Sequence, residues 1–327
     1  MKQRQLGAQG PHVSAIGLGC MSFAGAFGPT DTETSLRCLD AAVAHGLNFL
    51  DTANIYGMGR SEEVIGQWLA TRRPNVVLAT KGGIVRDPQA PVNNSPAHFR
   101  QELEGSLKRL GVDHVALYYA HRHDPAVPPE ELAGTLGRFI DEGKIGGYGL
   151  SEVAPATIRR AHAERPCTAV QNEYSLWTRL PELGVIQTTA ELGIAFVPFS
   201  PLGRGVLSDT PPNPAAMAED DFRRAIPRFS DENYPRNAAL LAPFRAYAAQ
   251  VGRSTAELAM AWVLDRGAHL LPIPGTRTAA HLNEWINAAD KPLSDAERAD
   301  IARLLPPGFA HGDRYGDIQT RTAERYC

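Results

Sequence analysis

Four side chains in this chain could together move a proton to an oxygen: Asp51, Tyr56, Lys81 and His121. Asp51 ends the apolar run Phe49-Leu50-Asp51, Lys81 ends Leu78-Ala79-Thr80-Lys81, and His121 ends Tyr118-Tyr119-Ala120-His121. Tyr56 follows Asp51 by five residues, in the loop Asn54-Ile55-Tyr56-Gly57. A free phenol titrates at about 10. A neighbouring ammonium favours the phenolate and is expected to lower that value, with Asp51 keeping Lys81 charged and in place. Such a phenol can work as an acid near neutral pH, and His121 can hydrogen-bond and orient a carbonyl oxygen. The set suits addition of hydride to C=O, the oxygen taking up a proton.

Three acids and bases at three successive apolar run ends need a scaffold that gathers strand exits. Short apolar runs alternate with helix-periodic segments along the chain. The expected strands are Ala15–Leu18, Asn48–Leu50, Val76–Ala79, Val115–Tyr119, Ile145–Leu150, Ala169–Gln171, Ala195–Pro198 and His269–Leu271. The helical patterns are Thr32–His45, Glu62–Thr71, Ala97–Leu110, Pro129–Glu142, Pro155–Arg165, Pro181–Leu192, a long Arg236–Arg266 and Thr278–Ala289. Asp31-Thr32-Glu33-Thr34 and Ser61-Glu62-Glu63 read as helix starts. Gly46, Gly111, Gly143 and Gly193 read as left-handed helix stops. Strict alternation implies parallel strands and right-handed crossovers, and eight units close a (β/α)8 barrel. The chain then reads as one barrel domain over 1–327, with an N-terminal hairpin turning at Gly10-Pro11, an additional C-terminal helix over Ser294–Leu305, and an irregular tail from 306 to 327. In such a barrel the loops after strands build the active face. The long Pro- and Gly-rich connection Ser200–Tyr234 therefore belongs there, with contributions expected from Phe23–Thr30, Ile84–Ser95 and the tail.

Composition narrows the function classes. The chain has 327 residues, 43% hydrophobic and 21% charged, with a formal net charge of −3. That balance argues against an electrostatic grip on nucleic acid or an anionic membrane. No run of about 18 apolar residues occurs, so no membrane span is expected. Met1–Gly10 is polar and lacks the apolar core of a signal peptide. The four cysteines, Cys20, Cys38, Cys167 and Cys327, show no metal-ligand spacing, and free thiols in a cytoplasmic location are expected. Oligomeric state leaves no mark in the sequence.

The constellation resembles the aldo-keto reductase family. Seven phrases carry the resemblance, in order and each at an expected strand exit: Phe49–Gly57 (FLDTANIYG), Leu78–Gly82 (LATKG), Leu117–Asp124 (LYYAHRHD), Gly149–Glu152 (GLSE), Gln171–Trp177 (QNEYSLW), Val197–Leu207 (VPFSPLGRGVL) and Ile273–Arg277 (IPGTR). The resemblance implies a (β/α)8 barrel, NADPH/NADP+ as cofactor bound without a Rossmann fold, and a small carbonyl substrate. It carries the tetrad over to Asp51, Tyr56, Lys81 and His121. It places Gly19 and Met21 near the nicotinamide, Ser151 and Gln171 on its carboxamide, and Phe199 stacked on its ring. Ser200, Leu202, Gly203 and Arg204 would follow the pyrophosphate, Gly275, Thr276 and Arg277 the 2′-phosphate, and His281 and Glu284 the adenine. Ala120, Glu152 and Trp285 depart from common family residues at their positions.

Rival readings attach to the same residues. Gly17-Leu18-Gly19-Cys20-Met21-Ser22 nearly matches GxGxxG but lacks the third glycine. His121-Arg122-His123-Asp124 has a metal-like spacing, yet the later strands end in Ser151, Gln171, Ser200 and Gly275. Lys81 could serve as the Schiff-base amine of a barrel aldolase, which would need it neutral. A cofactor-sensing subunit without significant turnover is the non-enzyme alternative.

Overall fold

The computed structural model describes residues 1–87 and 89–326. Seven parallel strands curl in chain order: β1 (Leu18–Gly19), β2 (Phe49–Asp51), β3 (Val77–Gly82), β4 (Leu117–Ala120), β5 (Tyr148–Ser151), β6 (Ala169–Gln171) and β7 (Ala195–Phe196). Residues 269–275 complete the barrel. Leu270 and Ile273 bridge Phe196 and Phe199 on one side, and Gly275 bridges Gly19 on the other. The eighth strand was expected to be regular, and two prolines explain why it is not. Gly17 and Gly19 donate to the carbonyls of Pro272 and Pro274 at 2.9 and 3.0 Å. Those two residues carry no N–H to return the bond, so the ladder toward β1 is half made.

Side chains on a strand alternate between faces. In this barrel the inward positions are odd-numbered: Phe49, Ala79, Leu117, Tyr119, Ala169, Ala195, Val197, Leu271 and Ile273 form one buried interior cluster. The antiparallel hairpin Gln3–Gln5/His12–Ser14 plugs the floor with Leu6 and Val13. The same parity carried one step further aims Asp51, Lys81, His121, Ser151 and Gln171 into the mouth. Gly149 also points inward, and a Cβ there would sit 2.4 Å from the Tyr119 ring. Even-numbered strand residues such as Leu50, Tyr118 and Leu150 join the larger core between barrel and helices.

The helical layer comprises α1 (Thr32–Ala44), α2 (Arg60–Arg72), α3 (Pro96–Leu110), α4 (Pro129–Asp141), α5 (Pro155–Glu164), α6 (Val185–Glu191), α7 (Asn233–Gln250), α8 (Thr255–Leu264), α9 (Ala279–Leu282), α10 (Asp295–Leu304) and α11 (Asp317–Thr320). Asp31 caps α1, its carboxylate accepting from Thr34 N at 2.7 Å, and α3, α4 and α5 each begin with proline. Gly46, Gly111, Gly143 and Gly193 all take positive φ after helices. On α4 the buried Leu132, Ala133, Leu136 and Phe139 form the i, i+1, i+4, i+7 stripe that faces the barrel.

Three expectations are corrected. Ser61 lies inside α2, behind Gly59, and its hydroxyl instead donates to the Cys20 carbonyl. The long helix over Arg236–Arg266 is two, α7 and α8, parted at Gly252 with φ +69°. The eighth helix over Thr278–Ala289 shrinks to one turn, α9, followed by turns. Cys20, Cys38 and Cys167 are buried free thiols. Cys327 and, within the expected loop 84–95, Pro88 lie outside the described residues.

Candidate active site

β2 delivers Asp51 and β3 delivers Lys81 to one point. Lys81 is fully buried, and its ammonium donates to Asp51 Oδ1, to the Thr52 carbonyl at 2.7 Å and to the Tyr56 hydroxyl at 3.3 Å. The other Asp51 oxygen accepts from Gln171 Nε2 at 2.8 Å. The loop carrying Tyr56 is pinned by Asn54 N to the Lys81 carbonyl at 3.2 Å. His121 meets Tyr56 edge to face, ring centres 5.8 Å apart at 81°. Its Nδ1 is buried and has no hydrogen-bond partner among the described residues.

Burial dominates the electrostatics. It raises the Tyr56 phenol above its ordinary value; Lys81 pulls the other way and Asp51 adds to the rise. The sequence-based expectation of a lowered phenol is therefore corrected: taking the phenolate out of water outweighs one ammonium that already serves Asp51. Burial pulls the Lys81 ammonium down, and Asp51 with Tyr56 more than restores it, so Lys81 stays charged. Burial raises Asp51, opposed by Lys81 and Gln171. His121 is driven well below its ordinary value by burial, then by Arg122 and Lys81, and is neutral at pH 7. A charged Lys81 with all three hydrogens engaged is the wrong state for a Schiff-base amine. His123 turns away from His121 and commits both ring nitrogens, to Glu324 at 2.6 Å and to the Val127 carbonyl at 2.9 Å.

Above this floor opens a cavity of about 780 Å³, whose wall includes Gly19, Met21, Asp51, Tyr56, His121, Ser151, Gln171, Phe199, Ser200, Arg204 and Gly275. A second lobe of about 620 Å³ adjoins it, walled by Leu202, Thr276, Arg277, His281, Glu284 and the buried Trp285. Ser22, Phe27, Ser200, Arg204 and Gly275 border both lobes. Lys81 and Gly203 line neither; Lys81 lies beneath Asp51 and Tyr56, and Gly203 packs against Trp177. Arg277 donates to the Pro29 carbonyl at 3.3 Å. α9 is a single turn, so this guanidinium, and not a helix dipole, is the main positive charge facing the far lobe.

Sequence reasoning missed how the tail is fastened. Arg314 pairs with Glu152, and with Glu173 at 3.3 Å; Arg204 pairs with Glu173 at 2.9 Å and donates to the Arg314 carbonyl. Arg204 thus turns its guanidinium toward the tail. Burial pushes Glu173 up, and Arg204 and Arg314 bring it below its ordinary value. Glu324 accepts from Ala154 N at 2.6 Å and Thr157 Oγ1 at 2.9 Å. Tyr315, Ile318, Gln319 and Thr322 consequently form part of the first lobe's wall. Glu173 was legible within the Gln171–Trp177 phrase; Arg314 and Tyr315 carry no periodicity that could have marked them.

The model of the Aldo/keto reductase family matches residues 15–306. A probable aldo-keto reductase from Glycine max is 39% identical over 321 residues, covering 95% of this chain and 91% of that protein. A glycerol dehydrogenase from Gluconobacter oxydans superposes with a TM-score of 0.83 at 26% identity, over 93% of this chain and 94% of its own. The holo form of an aldo-keto reductase from Bacillus halodurans gives 0.77 at 27% identity, over 98% and 99%. An aldo-keto reductase from Klebsiella pneumoniae in complex with NADPH gives 0.75 at 25%, over 96% and 99%. The chain belongs to the aldo/keto reductase family.

Proposed function

We propose that the protein reduces the carbonyl group of small aldehydes or ketones with NADPH, Tyr56 acting as the proton donor. The observation that carries this reading is the buried relay Asp51–Lys81–Tyr56, facing a neutral His121 at the floor of a two-lobed trough. The trough suits an extended dinucleotide: the two lobes share five bordering residues and Arg277 lines the far one. Ser151, Gln171 and Phe199 would hold the nicotinamide end, Ser200 and Leu202 the pyrophosphate, and Thr276, Arg277, His281 and Glu284 the adenosine end. When bound, NADPH supplies the hydride.

The chain's own groups do the rest. His121 donates a hydrogen bond to the carbonyl oxygen and fixes its direction. As that oxygen gains negative charge, Tyr56 gives it the phenolic proton, and Lys81 stabilises the phenolate left behind. Asp51 holds the ammonium so that its third hydrogen stays on Tyr56. Water then returns a proton to Tyr56. The raised phenol value suits this direction, because the acid is fully protonated at neutral pH before each turnover.

The test is a panel of simple aldehydes and ketones, read by loss of NADPH absorbance. Turnover at ordinary enzymatic rates is expected. Cofactor binding without turnover of any carbonyl would favour a cofactor-sensing role and sink the reductase reading.

A further inference from the structure

Arg122 stands next to His121 at the exit of β4 and is only 8% exposed. Its guanidinium donates to the His121 carbonyl at 2.6 Å, to Ser151 Oγ at 3.4 Å and to the Tyr315 hydroxyl at 3.2 Å. Its Nε has no hydrogen-bond partner among the described residues. Among the described residues no carboxylate pairs with it, whereas Lys81, Arg204 and Arg314 at the same mouth each hold one. A cation withdrawn from water without a counter-charge is costly, and an anion brought beside it recovers much of that cost.

Arg122 also lines the first lobe of the trough, as do His121 and Tyr56. The surrounding wall is largely apolar, with Ile55, Phe222 and Ile318 among its residues. The other charged groups lining this lobe are either paired, as Asp51 and Arg204 are, or exposed at the rim, as Arg86, Asp87 and Asp220 are. Rim charges are screened by water and salt; a buried guanidinium is not. Tyr315, brought in by the tail, fixes the orientation of the guanidinium through its hydroxyl.

We propose that Arg122 is a specificity-determining residue and that the favoured substrates are aldehydes or ketones bearing a carboxylate. Tyr56 and His121 take the carbonyl oxygen, and the guanidinium takes the acid group. Arginine suits this because its planar fork can present two N–H groups to one carboxylate. The proposal rests on the reductase reading above and narrows its substrate class.

The experiment compares each acid with its neutral ester: 4-carboxybenzaldehyde against its methyl ester, and 4-oxobutanoate against methyl 4-oxobutanoate. Wild-type enzyme is expected to favour each acid by about 10-fold or more in kcat/KM. Arg122→Met should lower kcat/KM for the acids about 10- to 100-fold, mostly through KM, while the neutral partners change less than about 3-fold. Arg122→Lys should restore part of the preference, and the Kd for NADPH should be unaltered in both variants. On wild-type enzyme alone, benzoate should inhibit competitively against the carbonyl substrate, and benzamide should not. No acid preference in the wild type, or an equal loss for acids and neutral partners in Arg122→Met, overturns the proposal. So does loss of NADPH binding, which would assign Arg122 to the cofactor. Brisk turnover of neutral aldehydes alone leaves the reductase reading standing while this one falls.

Discussion

Replacing Lys81 with methionine keeps most of the side-chain volume and deletes the buried charge. Asp51, with a side chain 2% exposed, then keeps, among the described residues, only Gln171 as a side-chain hydrogen-bond donor. Removing one partner of a buried ion pair costs about 3–5 kcal/mol. Protonation of Asp51 sets a ceiling: neutralising an ordinary carboxyl at pH 7 costs about 4 kcal/mol. The expected destabilisation of Lys81→Met at pH 7 is therefore about 3–4 kcal/mol. In that variant the native carboxyl binds its proton more tightly than the unfolded one, so stability falls as pH rises. Between pH 7 and pH 5 the penalty should shrink by about 1.4 kcal/mol per unit. Adding Asp51→Leu should restore at least about 2 kcal/mol but none of the activity, because the cation beside Tyr56 stays absent. Urea unfolding of the wild type, both single variants and the double variant measures this cycle. A loss below about 1 kcal/mol in Lys81→Met, or one that does not change with pH, would refute the buried pair.

Two further outcomes follow from the geometry. Arg277→Ala should weaken NADPH about 10- to 100-fold and NADH less than about 3-fold, measured by fluorescence titration; equal losses would mean that the 2′-phosphate is read elsewhere. For His123, burial lowers the imidazole, but the bonds to Glu324 and the Val127 carbonyl raise it overall; burial raises Glu324, and the bonds to His123, Ala154 and Thr157 bring it below its ordinary value. The raised histidine adds stability fully below its unfolded value of about 6.5, and this is lost as pH rises through the native value. The lowered Glu324 adds stability above about 4.3, lost as pH falls through its own native value. Docking of the tail should thus be firmest between about pH 4.5 and 6.5 and looser at pH 8. Hydrogen-exchange protection of residues 314–326, corrected for intrinsic rate, should fall between pH 6 and pH 8, and less steeply in Glu324→Gln. Equal protection at both pH values in the wild type would contradict the pairing.

The site's floor was legible because period-two alternation carries inward-facing parity from Phe49 to Asp51, from Ala79 to Lys81 and from Tyr119 to His121. Helix stops were legible because glycine alone takes left-handed φ without strain. Two features were hidden by distance in sequence. The Tyr56 value depends on how completely the mouth is covered, and spacing shows only which charges are near. The tail docks through Arg314, Tyr315 and Glu324, whose partners lie 110 to 201 residues away, and no local pattern encodes such pairings. Pro272 and Pro274 could have been read as a weakened eighth strand, since each removes a ladder donor.

The most direct test of the relay is Tyr56→Phe, assayed for both turnover and NADPH binding. Lys81 keeps Asp51 and the Thr52 carbonyl, so folding should change by only about 1 kcal/mol. NADPH should bind within about 3-fold of wild type, while kcat for carbonyl reduction should fall about 100- to 10,000-fold. A variant that binds NADPH and still reduces aldehydes at near wild-type rate would remove Tyr56 as the proton donor and the account with it.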